Sequence, residues 1–197
     1  RKQEYVNQTI VVVDNNSADN SAIKLKNRFP EEKFVENDRN LGFAGGINSG
    51  IRFAERRDPD YYWILNNDVI APESDTLKQL VDIIEEGSSL GILTPIIQKY
   101  PETSEHWFVQ GLVNPRTGKF RHSPDIVDHS RSDNRLVQSD YIPLCCSLVA
   151  SEVFETVGLL PEDYFIYLED VEFGLEVSAA GYEISTIMDV EMYHEES

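Results

Sequence analysis

"YYWILNNDVIAP" occupies residues 61–72, and the change halfway along it decides how the chain is read. The first half is aromatic and aliphatic, the composition of a strand buried in a sheet. The second half is Asn66-Asn67-Asp68, after which Pro72 opens the next element. A strand that finishes in amides and a carboxylate aims them past the edge of its sheet. Working outward, "TIVVVD" (9–14) repeats the pattern and finishes in Asp14 and Asn15, and "KFVEN" (33–37) is a third short strand. Between these strands the apolar spacing becomes helical. Ala22, Leu25 and Lys26 lead to a stop at Phe29-Pro30, and Ala44, Ile47, Ile51 and Ala54 share a face. Leu77, Leu80, Val81 and Ile84 share another, in a helix that Gly87 ends. "LGILTP" (90–95) reads as a strand stopped by Pro95. Strand and helix alternate, which predicts an α/β fold with a mostly parallel central sheet flanked by helices.

From Pro101 to Gln138 the periodicity is lost, as expected of a long functional loop, with "NPRTGKF" (114–120) as a hairpin turn. Regular structure returns in the strand "YIPLCCSLVA" (141–150) and in the helix "SEVFETVG" (151–158), capped by Ser151 and ended by Gly158. "DYFIYLEDVEFGLEVSAAGY" (163–182) carries a last helix, with Val171, Gly174, Leu175 and Ser178 on one face, and an extended segment over 183–196 follows. The 197 residues suit a single domain.

Charge and cysteine usage narrow the function. Acidic residues outnumber basic ones 35 to 17 and the net charge is −18, which argues against nucleic acid as a partner. No apolar run approaches the roughly 20 residues that span a bilayer. The only cysteines, Cys145 and Cys146, are neighbours, so a disulfide framework is excluded and both read as small core residues. A reducing cytoplasm is the compartment this suggests.

In an open parallel sheet, ligands sit beyond the carboxyl ends of the strands. Asp14-Asn15 and Asn67-Asp68 are placed there, and both are expected to face one crevice. Asp68 offers a hard oxygen suited to Mg²⁺ or Mn²⁺, although "NND" alone is equally an ordinary turn. Glu169 and Asp170 fall at a helix start after the apolar run "YFIYL". That run is expected to hold the pair against a partly desolvated wall and favour a general base, with N-capping by Asp170 as the plainer reading. His194 near the end of an extended segment is a ligand candidate or a packing residue. His106, His122 and His129 have no partner that the sequence reveals. Gly42, Gly45 and Gly46 permit close backbone approach at a helix start, but match neither a P-loop nor a dinucleotide fingerprint.

Taken together, "VVVDNNSADNS", "NLGFAGGINSGI", "YYWILNNDVIAP", "CCSLVASEVFETVGLL" and "DYFIYLEDVEFGLEVSAAGY", in this order, resemble family 2 glycosyltransferases, in particular their rhamnosyltransferase-like bacterial branch. The resemblance implies a single Rossmann-like GT-A domain over residues 1–197. Residues 1–100 would form its nucleotide-sugar-binding half and 101–197 its acceptor and catalytic half. It implies an inverting, metal-dependent hexosyltransferase that takes sugar from a nucleotide-diphosphate donor to a saccharide or lipid-linked acceptor in cell-surface polysaccharide synthesis. Such an enzyme would be cytoplasmic, at most peripherally associated with the inner face of the membrane. "NND" stands where the family keeps a D-x-D motif, so Asp68 would hold Mg²⁺ or Mn²⁺, with Asn66 in place of the first acidic residue. Asp14 and Asn15 would line the nucleoside pocket, and Asn40, Gly42, Asn48 and Asn67 the donor site around it. Glu169 and Asp170 would be the acidic pair, Asp170 being the base, and His194 would help to coordinate the metal. Two departures stand beside this. The family's first strand is missing, "RKQEYVNQ" reading as the tail of the helix after it, and Glu176 stands where a basic residue is common. The alternatives are a truncated or inactive module that binds sugar nucleotide without transferring it, and a nucleotidyltransferase, whose basic Gly-rich loop is not found.

Overall fold

The computed structural model describes residues 3–87, 89–101, 104–133 and 135–195. The chain divides into two compact units. One, the amino-terminal unit, comprises Val6–Asp60 and Leu159–Glu169; the other, the sheet unit, comprises Arg1–Tyr5, Tyr61–Gly158 and Asp170–Ser197.

The amino-terminal unit holds β1 (Val11–Asp14), α1 (Ser21–Arg28), β2 (Lys33–Glu36) and α2 (Gly42–Ala54). β1 and β2 pair in parallel, Val12 opposite Phe34, as the strand–helix–strand alternation requires. β1 is half-buried along its length, so the expectation of a fully buried strand is not met. α2 buries Gly42, Ala44, Gly45, Gly46, Asn48 and Ile51. The small residues let it lie close to β1: a Cβ on Gly50 would sit 3.0 Å from Val13, and one on Gly46 would sit 3.2 Å from the Asn15 amide.

The sheet unit holds β3 (Tyr61–Leu65), β4 (Val69–Ile70), α3 (Thr76–Glu86), β5 (Leu90–Tyr100), β6 (His106–Phe108), β7 (Gln110–Val113), β8 (Phe120–Ser123), β9 (Leu136–Gln138), β10 (Cys146–Ala150), α4 (Ser151–Val157), α5 (Glu169–Ala179, beginning at the last residue of the other unit) and β11 (Glu183–Glu195). The main path runs β3-β10-β5-β11-β4, with β6 on β5 and β9 on β11. The sheet is mixed, which corrects the expectation of a mostly parallel one. Among its described residues only β5 and β11 run parallel in this sheet; β10 lies antiparallel between β3 and β5, and β4 is antiparallel to β11. The apolar run that forms β10 is compatible with either direction, because burial on both faces sets composition and not polarity. Pro95 is a second correction, since β5 passes through it. On one side Pro95 falls between the residues that pair with β10 (Ile92, Leu93) and those that pair with β6 (Ile97, Gln98). On the other, the register of β11 shifts between Ile187, opposite Pro95, and Glu191. The missing N–H is thus accommodated where the ladder is already interrupted.

The stretch from 101 to 138 is not one irregular loop but carries β6 to β9, and "NPRTGKF" turns the β7–β8 hairpin as expected. α3 buries Leu77, Leu80, Val81 and Ile84 and ends at Gly87. Ser151 is the first residue of α4 and not its cap, while Gly158 ends that helix at φ +100°. In α5 the buried positions are Glu169, Phe173, Gly174 and Val177, whereas Leu175 and Ser178 are exposed, so the inner face is rotated from the one expected. A Cβ on Gly174 would lie 2.7 Å from the Asp140 carbonyl, so glycine lets α5 seat against the segment after β9. Cys145 and Cys146 are free and buried. Among the described residues no helix is long and apolar enough to cross a membrane.

Candidate functional site

Each unit gathers part of the predicted set. In the sheet unit, Asp68 lies between β3 and β4, and the β4–β11 ladder sets its surroundings. His194 pairs with Val69, and the Glu195 N–H donates to the Asp68 carbonyl at 2.9 Å. This register brings the Asp68 side chain to His194, with Oδ1 and Nε2 3.5 Å apart. Neither Asp68 Oδ1 nor His194 Nδ1 has a hydrogen-bond partner, although both atoms are buried. A buried acceptor left open is costly, commonly about 1–3 kcal/mol. Asp68 and His194 are two candidate ligands; no group of three or more His, Cys, Asp and Glu is found among the described residues. Asn67 is exposed at the same turn.

Two residues absent from the predicted set complete this corner. The Trp107 ring packs on His194 with centroids 4.6 Å apart, and the His122 ring packs on Trp107 at 4.5 Å while its Nε2 lies 2.9 Å from the Trp107 carbonyl oxygen. Their separation in sequence from His194 gave no signal; the β5–β6 pairing brings in Trp107, and His122 arrives on the β7–β8 hairpin. Cys145 is also near: hydrogen bonding to Cys146 and burial hold its thiol well above the usual range, and the Asp68 charge adds to this.

Asp170 lies in the first turn of α5 and is half-buried, its Oδ1 accepting the Val171 N–H at 2.8 Å, so it is not an N-cap. Burial raises the Tyr141 hydroxyl well above its usual range, and the negative charge of Asp170 adds to that. Glu169 is 4% exposed, its Oε2 has no partner, and burial pushes its carboxyl up. The acidic pair is therefore split into one buried and one accessible carboxyl. The preceding run does not form the expected desolvated wall. Phe165, Ile166, Tyr167 and Leu168 are 61%, 53%, 74% and 40% exposed, and Tyr167 and Leu168 both adopt positive φ.

In the amino-terminal unit, the amides are occupied. Asn15 Nδ2 donates to Asn40 Oδ1 and to the Gly42 carbonyl, and Asn15 Oδ1 accepts from Asn37 Nδ2 and the Leu41 N–H, all within 2.9–3.1 Å. Asn40 Oδ1 also accepts the Gly42 N–H at 2.9 Å. Gly42 has φ +77°, and a Cβ there would run into the Phe165 carbonyl, which takes the Phe43 N–H at 2.9 Å. Asn48 is fully buried. Its Nδ2 donates to the Leu160 carbonyl and to Glu162, and its Oδ1 accepts the Leu160 N–H at 3.1 Å. Glu162, which Arg52 also bridges at 2.8 Å, is held below the usual carboxylate range by Asn48 and then Arg52. Asp14 Oδ1 accepts the Ser17 N–H at 3.0 Å.

A sequence pattern described as "Glycosyl transferase family 2" matches residues 1–156. The chain belongs to glycosyl transferase family 2. Within the family's wider neighbourhood, it is 25% identical over 185 residues to the low-salt glycan biosynthesis hexosyltransferase Agl10 of Haloferax volcanii, covering 93% of this chain and 58% of that protein. It is 24% identical over 203 residues to the N-acetylglucosaminyl-diphospho-decaprenol L-rhamnosyltransferase of Mycobacterium tuberculosis, covering 94% and 66%. The chain thus spans less than two thirds of the length of these relatives. The fold resembles GalNAc-T7 solved with UDP, GalNAc and Mn²⁺ (TM-score 0.74, 13% identity, 95% of this chain and 38% of that one). It also resembles the mannosyltransferase PcManGT from Pyrobaculum calidifontis in complex with GDP-Man and Mn²⁺ (TM-score 0.64, 17% identity, 94% and 47%). This family 2 chain therefore has a GT-A fold built on a mixed sheet.

Proposed function

We propose that the chain is the donor-binding and catalytic region of an inverting glycosyltransferase. It would transfer a hexose, rhamnose being one candidate, from a nucleoside-diphosphate sugar to a saccharide or lipid-linked acceptor in glycan or cell-wall synthesis. The open Oδ1 of Asp68, with the Nε2 of His194 3.5 Å away, carries this reading. A hard carboxylate oxygen and an imidazole nitrogen, both poor in protein partners, suit Mn²⁺ or Mg²⁺ completed by diphosphate oxygens and water. Names of relatives and neighbours agree: a hexosyltransferase, a rhamnosyltransferase, and structures holding UDP or GDP-Man with Mn²⁺. When bound, the cation offsets charge on the departing nucleoside diphosphate.

The chain's own residues take the remaining roles. Asp170, the accessible member of the acidic pair, accepts the proton of the acceptor hydroxyl as that oxygen bonds to the anomeric carbon. The bond from that carbon to the diphosphate oxygen breaks on the opposite face, so configuration inverts. Asp14 takes the nucleoside, and Asn67 reaches the donor from the exposed turn beside Asp68. Asn15, Asn40 and Gly42 shape the donor wall through their mutual bonds, Asn48 through its bonds to Leu160 and Glu162, and they present backbone more than amide. Donor handling falls to residues 1–100, and the base and acceptor contacts to 101–197. The protein works in the cytoplasm, at most peripherally on the membrane's inner face. Thermal shift against a panel of nucleotide sugars, with Mn²⁺ and with EDTA, tests this reading, followed by transfer assays with the stabilising donor. Mn²⁺-dependent stabilisation and turnover support it. Stabilisation without turnover would leave a binding module, and no response to any donor would refute both.

A further inference from the structure

The β7–β8 hairpin gathers positive charge in a chain that has little of it. Its turn and second strand supply Arg116, Lys119 and Arg121, and Arg131 follows shortly after. All four line one cavity of about 600 Å³, together with Phe120 and two carboxylates, Asp128 and Asp140. Both carboxylates are engaged. Asp140 takes the Arg131 guanidinium at 2.8 Å and the Val113 N–H at 2.7 Å, while Asp128 accepts the Ser130 N–H and hydroxyl. Arg116, Lys119 and Arg121 make no ion pair among the described residues. Four cations face two carboxylates in this lining, a surplus of positive charge in a chain whose acids outnumber its bases 35 to 17.

The cavity wall is also set in advance. The Asn114 side chain accepts the N–H groups of Arg116 and Thr117, and the Asn114 backbone exchanges bonds with Lys119 and Gly118, the latter at φ +67°. Phe120 is half exposed into the same space, its ring edge-on to Tyr141 at 6.1 Å. Guanidinium groups match the oxygens of phosphate with paired bonds, and an exposed aromatic ring offers a face to a sugar. We propose that this cavity binds a phosphate-bearing group of the acceptor, the substrate class being a saccharide linked through phosphate or diphosphate. The anion site stands on the hairpin alone; only its assignment to the acceptor rests on the transferase reading.

The test uses the whole chain and the variant R116E/K119E/R121E, whose changes fall on exposed positions. Titration of sodium pyrophosphate in EDTA, which removes any metal-borne phosphate site, should show saturable binding that weakens with salt in the wild type. The variant should bind at least about tenfold more weakly, the size of one charge-assisted bond. Equal binding by the variant, or none by the wild type, would overturn the site. In transfer assays, the variant's preference for a prenyl-diphosphate sugar over the same sugar as an alkyl glycoside should also fall at least about tenfold. An unchanged preference with pyrophosphate binding lost would overturn the acceptor assignment and leave a site for free phosphate. Absence of transfer with every donor would sink the transferase reading while the pyrophosphate titration still decides the cavity.

Discussion

Asn48 and Asp68 are both polar side chains within folded units, and their hydrogen-bond accounts are opposite. Asn48 is fully buried and donates and accepts three bonds to Leu160 and Glu162. Asp68 keeps a buried oxygen with no hydrogen-bond partner, 3.5 Å from an imidazole nitrogen. Asn15 and Asn40 side with Asn48, since their amides close the turn that leads into α2. The contrast separates residues whose polar atoms are satisfied within the fold from one that keeps an atom open. Residue type alone does not make this distinction, because amides and carboxylates serve both purposes.

If the distinction holds, substitutions should separate into losses of chemistry and losses of stability. The largest expected effect is on chemistry. Asp170→Asn should lower the transfer rate by roughly 10²–10⁴-fold while donor affinity changes little, as single-turnover and binding measurements would show. An equal loss of binding would move Asp170 to the structural side. Asn48→Ala should do the reverse: a loss of about 2–4 kcal/mol in urea unfolding, from broken bonds and a buried void, with the nature of any residual activity unaltered. Gly42→Ala should cost about 1–3 kcal/mol, because alanine resists positive φ and its Cβ meets the Phe165 carbonyl. A melt unchanged by either substitution would erase the contrast from the structural side.

Glu169→Gln tests the smallest effect and has a sign. Burial raises the folded-state pKa of Glu169 above its unfolded value, so the fold favours the protonated carboxyl. That contribution is fully present below the unfolded pKa and is lost as pH rises through the folded pKa. The variant, which cannot ionise, should therefore match the wild type in acid and gain in relative melting temperature as pH rises towards neutrality. A constant difference across pH would contradict the burial argument.

Much of the amino-terminal unit was legible in the sequence. The parallel β1–β2 pair, Ala44 and Ile51 on the inner face of α2 and the glycine at its start follow from local pattern, whereas Ile47 and Ala54, expected on that face, are only half-buried. What was not legible depends on partners distant in sequence. Nothing in "YIPLCCSLVA" states that β10 runs antiparallel, and nothing near Pro95 states that the ladder is interrupted there. The bonds of Asn48 reach a residue 112 positions away, so its occupied state is invisible from "GINSG". Trp107 comes to His194 through β6 and β5, and His122 comes to Trp107 on the β7–β8 hairpin, strands that the loss of periodicity after residue 100 concealed. The run "YFIYL" misled because apolar residues on an exposed loop have the composition of a buried wall.

The most direct measurement is Mn²⁺ binding, followed by water-proton relaxation in the presence of a nucleoside diphosphate, for the wild type and Asp68→Ala. The Asp68 carbonyl keeps its bond to Glu195 in the variant, so the melting temperature should stay close to that of the wild type. The account predicts saturable Mn²⁺ binding in the wild type and its loss in the variant. Equal Mn²⁺ affinity in the two proteins would contradict it.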